Sequence, residues 1–388
     1  MLNFWQQLKK SSTFPKDKKS TVELETGSVN GAAGGNFWKV LDKPFFCLAP
    51  MEEVTDVAFR EMFARYSGLR IKDKGLKMNP FVMYTEFINV DGLTHPEGRK
   101  KLGIDLKFTE NQRPIIAQLW GRSPLKFTEA AKIICDMGFD GIDINMGCPQ
   151  DKETGIGACA ALIKEPHLAV EIIKAAKSGA GGLPVSVKTR LGYNANDIGN
   201  WLRQLLAAEP AAVAIHGRTK KDKSKVPADW SAIGEAVKVR DKIQGTRDKD
   251  KTFIIGNGDI GSRAEGLRRV AETGVDGVMV GRGAFGNPWF FAQLYKNLNE
   301  GTPRSFSEGG SDSINLPNVK ERLSVMLEHA QLFDELLGKD KPFVIMRKHF
   351  KAYASGFDGA HELRAKLMET KNLDETKIVV QKYLKDIN

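Results

Sequence analysis

From residue 45 onward the chain alternates between two textures. Short apolar runs of strand length fall at residues 46–49, 81–84, 115–119, 141–144, 185–188, 212–215, 253–256 and 277–280. Between several of them lie longer segments in which apolar residues recur every three to four positions, as at 123–137, 166–177 and 263–273. A short continuous apolar run reads as a strand buried on both faces, and a helical period reads as the crossover that covers it. Eight such units match the strand count of a (β/α)8, or TIM, barrel, a fold of about 250 residues. A doubly wound open sheet competes, but its first βα turn is glycine-rich when it holds a dinucleotide. Here that turn reads Pro50-Met51-Glu52-Glu53, so the α/β barrel is preferred.

The flanking texture sets the domain boundaries. Residues 1–40 read as an N-terminal extension, with Phe4, Trp5 and Leu8 suited to a short docking helix and Gly31-Ala32-Ala33-Gly34-Gly35 as a flexible stretch. The barrel is assigned to 41–300. A Ser/Gly/Pro-rich linker covers 301–318. Residues 319–388 carry only helical periodicity, punctuated by Gly356 and Gly359, and predict a C-terminal all-helical domain.

Composition narrows the class. The 388 residues are 41% hydrophobic, enough for a large core, and no apolar run reaches membrane-spanning length. The opening Met1-Leu2-Asn3-Phe4-Trp5-Gln6 lacks a secretory pattern. Four cysteines (Cys47, Cys135, Cys148, Cys159) form no CxxC pair, which argues against a disulfide scaffold and a zinc site. A cytoplasmic, monomeric protein with no metal is expected. The formal charge of +10 favours polyanionic partners, though solubility alone accounts for it equally well. Its distribution says more. Lys220, Lys221, Lys223 and Lys225 crowd one loop directly after a strand end. The second run, Lys238 to Lys251, is diluted by Asp241, Asp248 and Asp250 and reads as a solvated connection.

Barrel chemistry belongs at the C-terminal ends of the strands. There the chain places Pro50-Met51, Thr85-Glu86, Gln118, Asn145 with Cys148, Lys188 with Arg190, His216 with Arg218, Asn257-Gly258-Asp259 and Gly281-Arg282-Gly283. Cys148, on the turn Asn145-Met146-Gly147-Cys148-Pro149, reads alone as a structural thiol. Polar residues at all eight strand ends argue instead for one large site. The two glycine turns after strands seven and eight let backbone N–H groups approach a phosphate, with Arg282 adding charge. Lys188 needs an anion or an electron-rich ring, or else an ion pair with Glu86 or Asp143. Cys47 and Cys135 read as core residues. His95, His167, His329 and His361 read as surface or packing residues, whereas His216, ending a buried strand, reads as a ligand contact.

These residues resemble the tRNA-dihydrouridine synthase family. The resemblance spans about residues 44–353. It rests on Leu48-Ala49-Pro50-Met51, Val54-Thr55-Asp56, Phe59-Arg60, Asn145-Met146-Gly147-Cys148-Pro149, Val187-Lys188-Thr189-Arg190-Leu191-Gly192, Ile215-His216-Gly217-Arg218-Thr219, Asn257-Gly258-Asp259-Ile260, Gly281-Arg282-Gly283 and Met346-Arg347-Lys348-His349. It implies an FMN-binding barrel that uses NADPH to reduce a uridine in tRNA, with Cys148 as proton donor. Pro50, Met51, Glu52, Gln118, Lys188, His216, Asn257, Gly258, Asp259, Gly281 and Arg282 would bind the flavin. Asn145, Arg190, Arg218, Lys220, Lys221, Lys223, Lys225, Arg347 and Lys348 would meet the RNA.

Hydride delivery to carbon 6 of uracil leaves carbon 5 in need of a proton, and a thiol is a competent acid at neutral pH. The target base must leave its stack to reach the site. Glu52-Glu53 and Cys159 depart from the family, which has small residues and a glycine there. Cys159 reads as a packing residue, a second thiol acid or an oxidation partner of Cys148. A flavin barrel acting on a free pyrimidine, like the dihydroorotate dehydrogenases, and a non-catalytic RNA-binding protein are the competing functions.

Overall fold

Strands β1 (Phe45–Leu48), β2 (Phe81–Asn89), β3 (Ile115–Trp120), β4 (Gly141–Met146), β5 (Val185–Arg190), β6 (Ala212–His216), β7 (Phe253–Asn257) and β8 (Gly277–Val280) pair in parallel, each with the next. Strand β8 returns to β1 with Phe45 opposite Gly277 and Leu48 opposite Val280, closing the barrel. Closure leaves no strand edge to protect. The computed structural model describes residues 36–67, 79–245, 251–292 and 317–387. They fall into two compact units, 36–292 and 317–387.

Alternation along the strands builds two cores. Phe45, Cys47, Ala49, Tyr84, Ile116, Ala214, Phe253, Ile255 and Met279 form an inner cluster. Phe46, Leu48, Ile115, Ile142, Ile144 and Val187 instead pack outward with helical residues such as Phe127, Ile172, Leu205 and Ile233. Because both faces are buried, the strands read in sequence as continuous apolar runs. Strand β2 outlasts its predicted run. Its register with β3 shifts between Tyr84 and Phe87, and the bulge lets Thr85 Oγ1 accept the Gln118 N–H at 3.1 Å.

Two expectations change at the N-terminal end of the barrel. Residues Phe37–Val40, placed in the extension, form a 3-10 turn whose aromatic pair is buried. Trp38 packs on Phe45 and Phe253 with ring centroids 5.4 and 6.4 Å away, sealing that end. The run from Lys238 is only partly a solvated connection, and its residues 246–250 lie outside the described residues. Helix Trp230–Gln244 carries its first half. Arg240 is buried and paired with Asp276 and Asp241, while Lys43 and Lys251 reach the same two carboxylates at 2.8 and 2.9 Å. The docking helix expected at Phe4, Trp5 and Leu8, and residues 301–316 of the linker, lie outside the described residues.

The second unit contains helices Val319–Leu337, Arg347–Tyr353, Ala360–Glu369 and Leu373–Asp386. Asn318 and Glu321 form a capping box on the first. His329 and His349 are both fully buried, edge to face, with ring centroids 4.7 Å apart. Among the described residues no helix is long and apolar enough to cross a membrane.

Candidate active site

Strand β5 shows how the barrel mouth is lined. Its inward positions are Ser186, Lys188 and Arg190, each one step nearer the C-terminal end. Lys188 Nζ donates to Asn257 Oδ1 at 3.2 Å, and Asn257 is held in turn by donating to the Met279 carbonyl at 2.8 Å. The partner is thus an amide, where the sequence suggested Glu86 or Asp143 as ion-pair alternatives. Burial, then the Arg190 charge, pushes the Lys188 pKa down to about 8. Burial and the cations Lys188, Arg190, Arg218 and Arg282 push His216 to about 2, so the imidazole is neutral. Arg218 Nη1 lies 3.0 Å from His216 Nε2. An arginine can only donate, so Nε2 accepts and the proton is on Nδ1.

The Cys148 turn is held from both sides. Asn145 Oδ1 accepts from the N–H groups of Gly147 and Cys148 at 3.0 and 2.9 Å. Arg190 Nε donates to the Gly147 carbonyl at 2.7 Å. Cys148 is half-buried, and its thiol points at Glu153 Oε2 4.0 Å away. A hydrogen bond from the Cys159 thiol holds Cys148 below the ordinary thiol range and pushes Cys159 itself far up. Cys159 is fully buried with φ of 54°, the left-handed region where glycine is at ease.

The turns after β7 and β8 face each other. Asp259 accepts from Arg218 Nη2 at 2.6 Å on one oxygen and from Arg282 Nη2 at 2.9 Å on the other. Gly258 has φ of 131°, and a Cβ there would come within 2.6 Å of the Ala228 Cβ. Among the described residues the backbone N–H groups of Gly258, Asp259, Arg282 and Gly283 have no partner. Amides on such glycine turns at strand ends can approach an anion. Across the β1–β8 seam, Met51 Sδ would lie 3.5 Å from a Cβ at Gly281. Pro50 and Met51 are half-buried, and Glu52 stands exposed at the rim. Desolvation and neighbouring Glu153 raise the Glu52 pKa.

Several residues expected to touch a ligand are hydrogen-bonded within the protein. Gln118 has no exposed surface, and its amide is engaged by Asp143 and Asn145. That places it one layer below the mouth. Arg190 and Arg218 are buried, with their guanidinium groups donating to main-chain carbonyls, to His216 and to Asp259. In this arrangement they brace the site. In the basic loop, Lys220 and Lys223 pair with Asp151 at 3.2 and 3.6 Å, while Lys221 and Lys225 are exposed. Lys164 and Lys220 approach the Tyr193 ring, their Nζ atoms 4.5 and 5.4 Å from its centroid. In the helical unit Arg347 donates to the Thr370 carbonyl, and Lys348 is half-buried. Glu153 had no sequence signal, since the polar stretch after Pro149 reads as an ordinary turn.

The family model described as dihydrouridine synthase (Dus) matches residues 47–388. A protein of Bacillus subtilis (strain 168), named a probable tRNA-dihydrouridine synthase 2, is 40% identical over 358 residues, 91% of this chain and 99% of its own length. A namesake without the numeral in Staphylococcus epidermidis is 40% identical over 346 residues, 88% of this chain and 94% of that one. Another in Staphylococcus aureus (strain COL) is 38% identical over 350 residues, 90% and 95% of the two chains. Among solved structures, histamine dehydrogenase from Rhizobium sp. 4-9 aligns with a TM-score of 0.46 at 10% identity, over 74% of this chain and 48% of that one, so the match spans about half its length. A family model that runs from β1 through the helical unit, with relatives matched almost end to end, leaves one assignment: the chain belongs to the dihydrouridine synthase family.

Proposed function

We propose that this protein reduces a uridine of tRNA to 5,6-dihydrouridine, with FMN at the barrel mouth, NADPH as reductant and Cys148 as proton donor, acting in the cytoplasm. The observation that carries the reading is the half-buried Cys148 thiol on a turn fixed by Asn145 and Arg190, beside a mouth whose glycine turns can approach an anion. The residues fit a flavin mononucleotide. The free amides of Gly258, Asp259, Arg282 and Gly283, with the exposed Arg282 side chain, would hold its phosphate. Lys188, Asn257 and the Nδ1–H of His216 would meet its polar edge, and Pro50, Met51 and Gly281 would border its ring. When bound, the flavin supplies hydride for carbon 6 of the uracil.

The protein's own part is the second half of the reduction. The Cys148 S–H bond breaks as its proton passes to carbon 5 of the uracil. The electron pair stays on sulfur, where the Cys159 S–H stabilises the thiolate. Arg190 and Asn145 keep the turn from relaxing away from the mouth. Lys221 and Lys225 are placed to meet phosphates of an RNA whose target base has left its stack. Arg347 and Lys348 would do the same from the helical unit.

The test is direct. Purified protein should be yellow or reconstitute with FMN, and should form dihydrouridine in unmodified tRNA with NADPH but not in free uracil. Colourless protein that no FMN restores would end this reading. Turnover on free uracil would return it to the pyrimidine dehydrogenase alternative.

A further inference from the structure

We propose that Asp143 is a positioning residue for the Cys148 turn, acting at a distance through the side-chain amides of Gln118 and Asn145. The functional part of the proposal rests on Cys148 being the proton donor; the structural part does not.

Asp143 points into the barrel from the middle of β4 and has no exposed surface. It accepts from Ser186 Oγ at 2.6 Å and from Gln118 Nε2 at 2.7 Å. Both partners are its register neighbours, Gln118 on β3 and Ser186 on β5. Burial raises its pKa to about 6, with Ser186, Gln118 and Lys188 pulling the other way, so it is a carboxylate at neutral pH. A carboxylate only accepts. Gln118 must therefore turn its NH2 group to Asp143 and its carbonyl oxygen away. That oxygen accepts from Asn145 Nδ2 at 3.0 Å. Asn145 is then obliged to present its own oxygen to the turn, where Gly147 and Cys148 donate.

Each amide alone has two orientations. The acceptor-only group at one end removes the choice at every link. Flipping Gln118 would set its carbonyl against a buried carboxylate, with no water able to reach either, since Gln118 and Asp143 are both fully buried. An apolar residue would fill the barrel at position 143 with no desolvation cost, yet could not give the chain a direction. The polarity thus runs from the barrel interior to the backbone of the residue that carries the thiol. A displacement of about 1 Å at such a group is enough to cost on the order of 100-fold in rate.

The experiment reverses the chain. Asn145→Asp sets an acceptor against the Gln118 oxygen and breaks the middle link. Asp143→Asn alone keeps an oxygen for Gln118 when the Ser186 hydroxyl turns to accept, but it no longer forbids the flipped amide, so kcat should fall by about threefold to tenfold, less than in Asn145→Asp. The pair Asp143→Asn with Asn145→Asp lets Gln118 flip: the new amide donates to its oxygen, and its NH2 donates to the new carboxylate, which still accepts from Cys148. The pair Asp143→Leu with Asn145→Asp removes the same charge but offers no donor. Two readouts apply. One is the rate of Cys148 alkylation by iodoacetamide, mapped by peptide mass spectrometry, which needs neither flavin nor tRNA. The other is kcat for tRNA reduction, separated from KM.

The Asp143→Asn pair should exceed the Asp143→Leu pair by at least about tenfold in kcat, with an alkylation rate nearer wild type, and Asn145→Asp alone should lose on the order of 100-fold in kcat. If Asn145→Asp does not fold, rescue of folding by Asp143→Asn and not by Asp143→Leu reads the same coupling. Equal behaviour of the two pairs, or an unaltered alkylation rate in Asn145→Asp, overturns the proposal. If the alkylation series follows the expected order while no protein, wild type included, reduces tRNA, the positioning stands and the donor role falls.

Discussion

Arg190 on β5 donates its Nε–H to the carbonyl oxygen of Gly147 at 2.7 Å, one residue before Cys148. Its Nη1 donates to the carbonyls of Thr219 and Lys223, both at 3.0 Å. One buried cation therefore joins the turn after β4 to the loop after β6. Arg190→Met should leave three buried or half-buried carbonyls without their donor. Hydrogen bonds from a charged group contribute about 1.5–3 kcal/mol each but do not add fully. The expected loss is about 3 kcal/mol in urea unfolding, with Arg190→Lys intermediate because an ammonium cannot span all three acceptors. A loss under about 1 kcal/mol would mean that water replaces the guanidinium.

The two neighbouring thiols should separate cleanly. Cys148→Ala should keep its flavin and its reduction by NADPH, while uridine reduction falls by at least ~100-fold, the scale of a lost general acid. Cys159→Gly has a different signature. Glycine suits the left-handed backbone at φ of 54°, which relieves roughly 1 kcal/mol of strain. Loss of the Cys159 thiol removes the hydrogen bond that lowers the Cys148 pKa. The pH midpoint of Cys148 alkylation should therefore rise. A fall, or no change, would assign that lowering to another group.

His216 gives a pH dependence with a definite sign. Its folded pKa, about 2, lies below the unfolded value near 6.5. The unfolded chain takes up a proton that the folded one refuses, so this contribution is complete above pH 6.5 and is lost as pH falls. Between pH 6.5 and 5 the loss should approach roughly 2 kcal/mol. Chemical denaturation of wild type and His216→Asn at both pH values isolates it. Parallel stability changes in the two proteins would show that His216 is protonated in the folded state.

The basic loop is not uniform. Lys220 and Lys223 are engaged by Asp151, so Lys221 and Lys225 are the cations available to a polyanion. Lys221→Glu with Lys225→Glu should weaken tRNA binding and reduce the log–log salt slope by roughly 0.7–0.9 per lost phosphate contact. Flavin content should not change. An unaltered slope would move the RNA surface away from this loop.

Strands are legible in this sequence and side-chain partners are not, for a physical reason. Strand β8 coincides with its predicted run, and β1 begins one residue early, because a barrel strand buried on both faces is apolar throughout. Strand β2 continues through Thr85 and Glu86 to Asn89, and its buried polar pair in a bulge interrupts the signal. Strand-end arginines carry the same letter whether they face a phosphate or three carbonyls. Arg190 and Arg218 were therefore legible as important and not as braces. Glu153 was invisible because its burial depends on the loop folding back, with Ala160 N–H bonding the Cys148 carbonyl at 3.3 Å. The neutral state of His216 comes first from burial and then from four cations on three segments, β5 and the turns after β6 and β8. The family motifs supplied what local pattern could not, since they record which strand ends work together.

Lys164 and Lys220 both bring Nζ to the Tyr193 ring, 4.5 and 5.4 Å from its centroid. The main chain of Lys220 and Lys221 donates to the carbonyls of Gly192 and Tyr193, both at 2.9 Å, while Asp151 ties Lys220 back to the Cys148 loop. The segments after β4, β5 and β6 are thereby joined to one another. Opening any one of them costs the links to the other two, so three of the eight rim segments are coupled in opening. An RNA phosphate that draws Lys220 away from Asp151 would loosen the loop that follows Cys148 without touching it, and a substrate settling on the basic loop would be felt at the thiol.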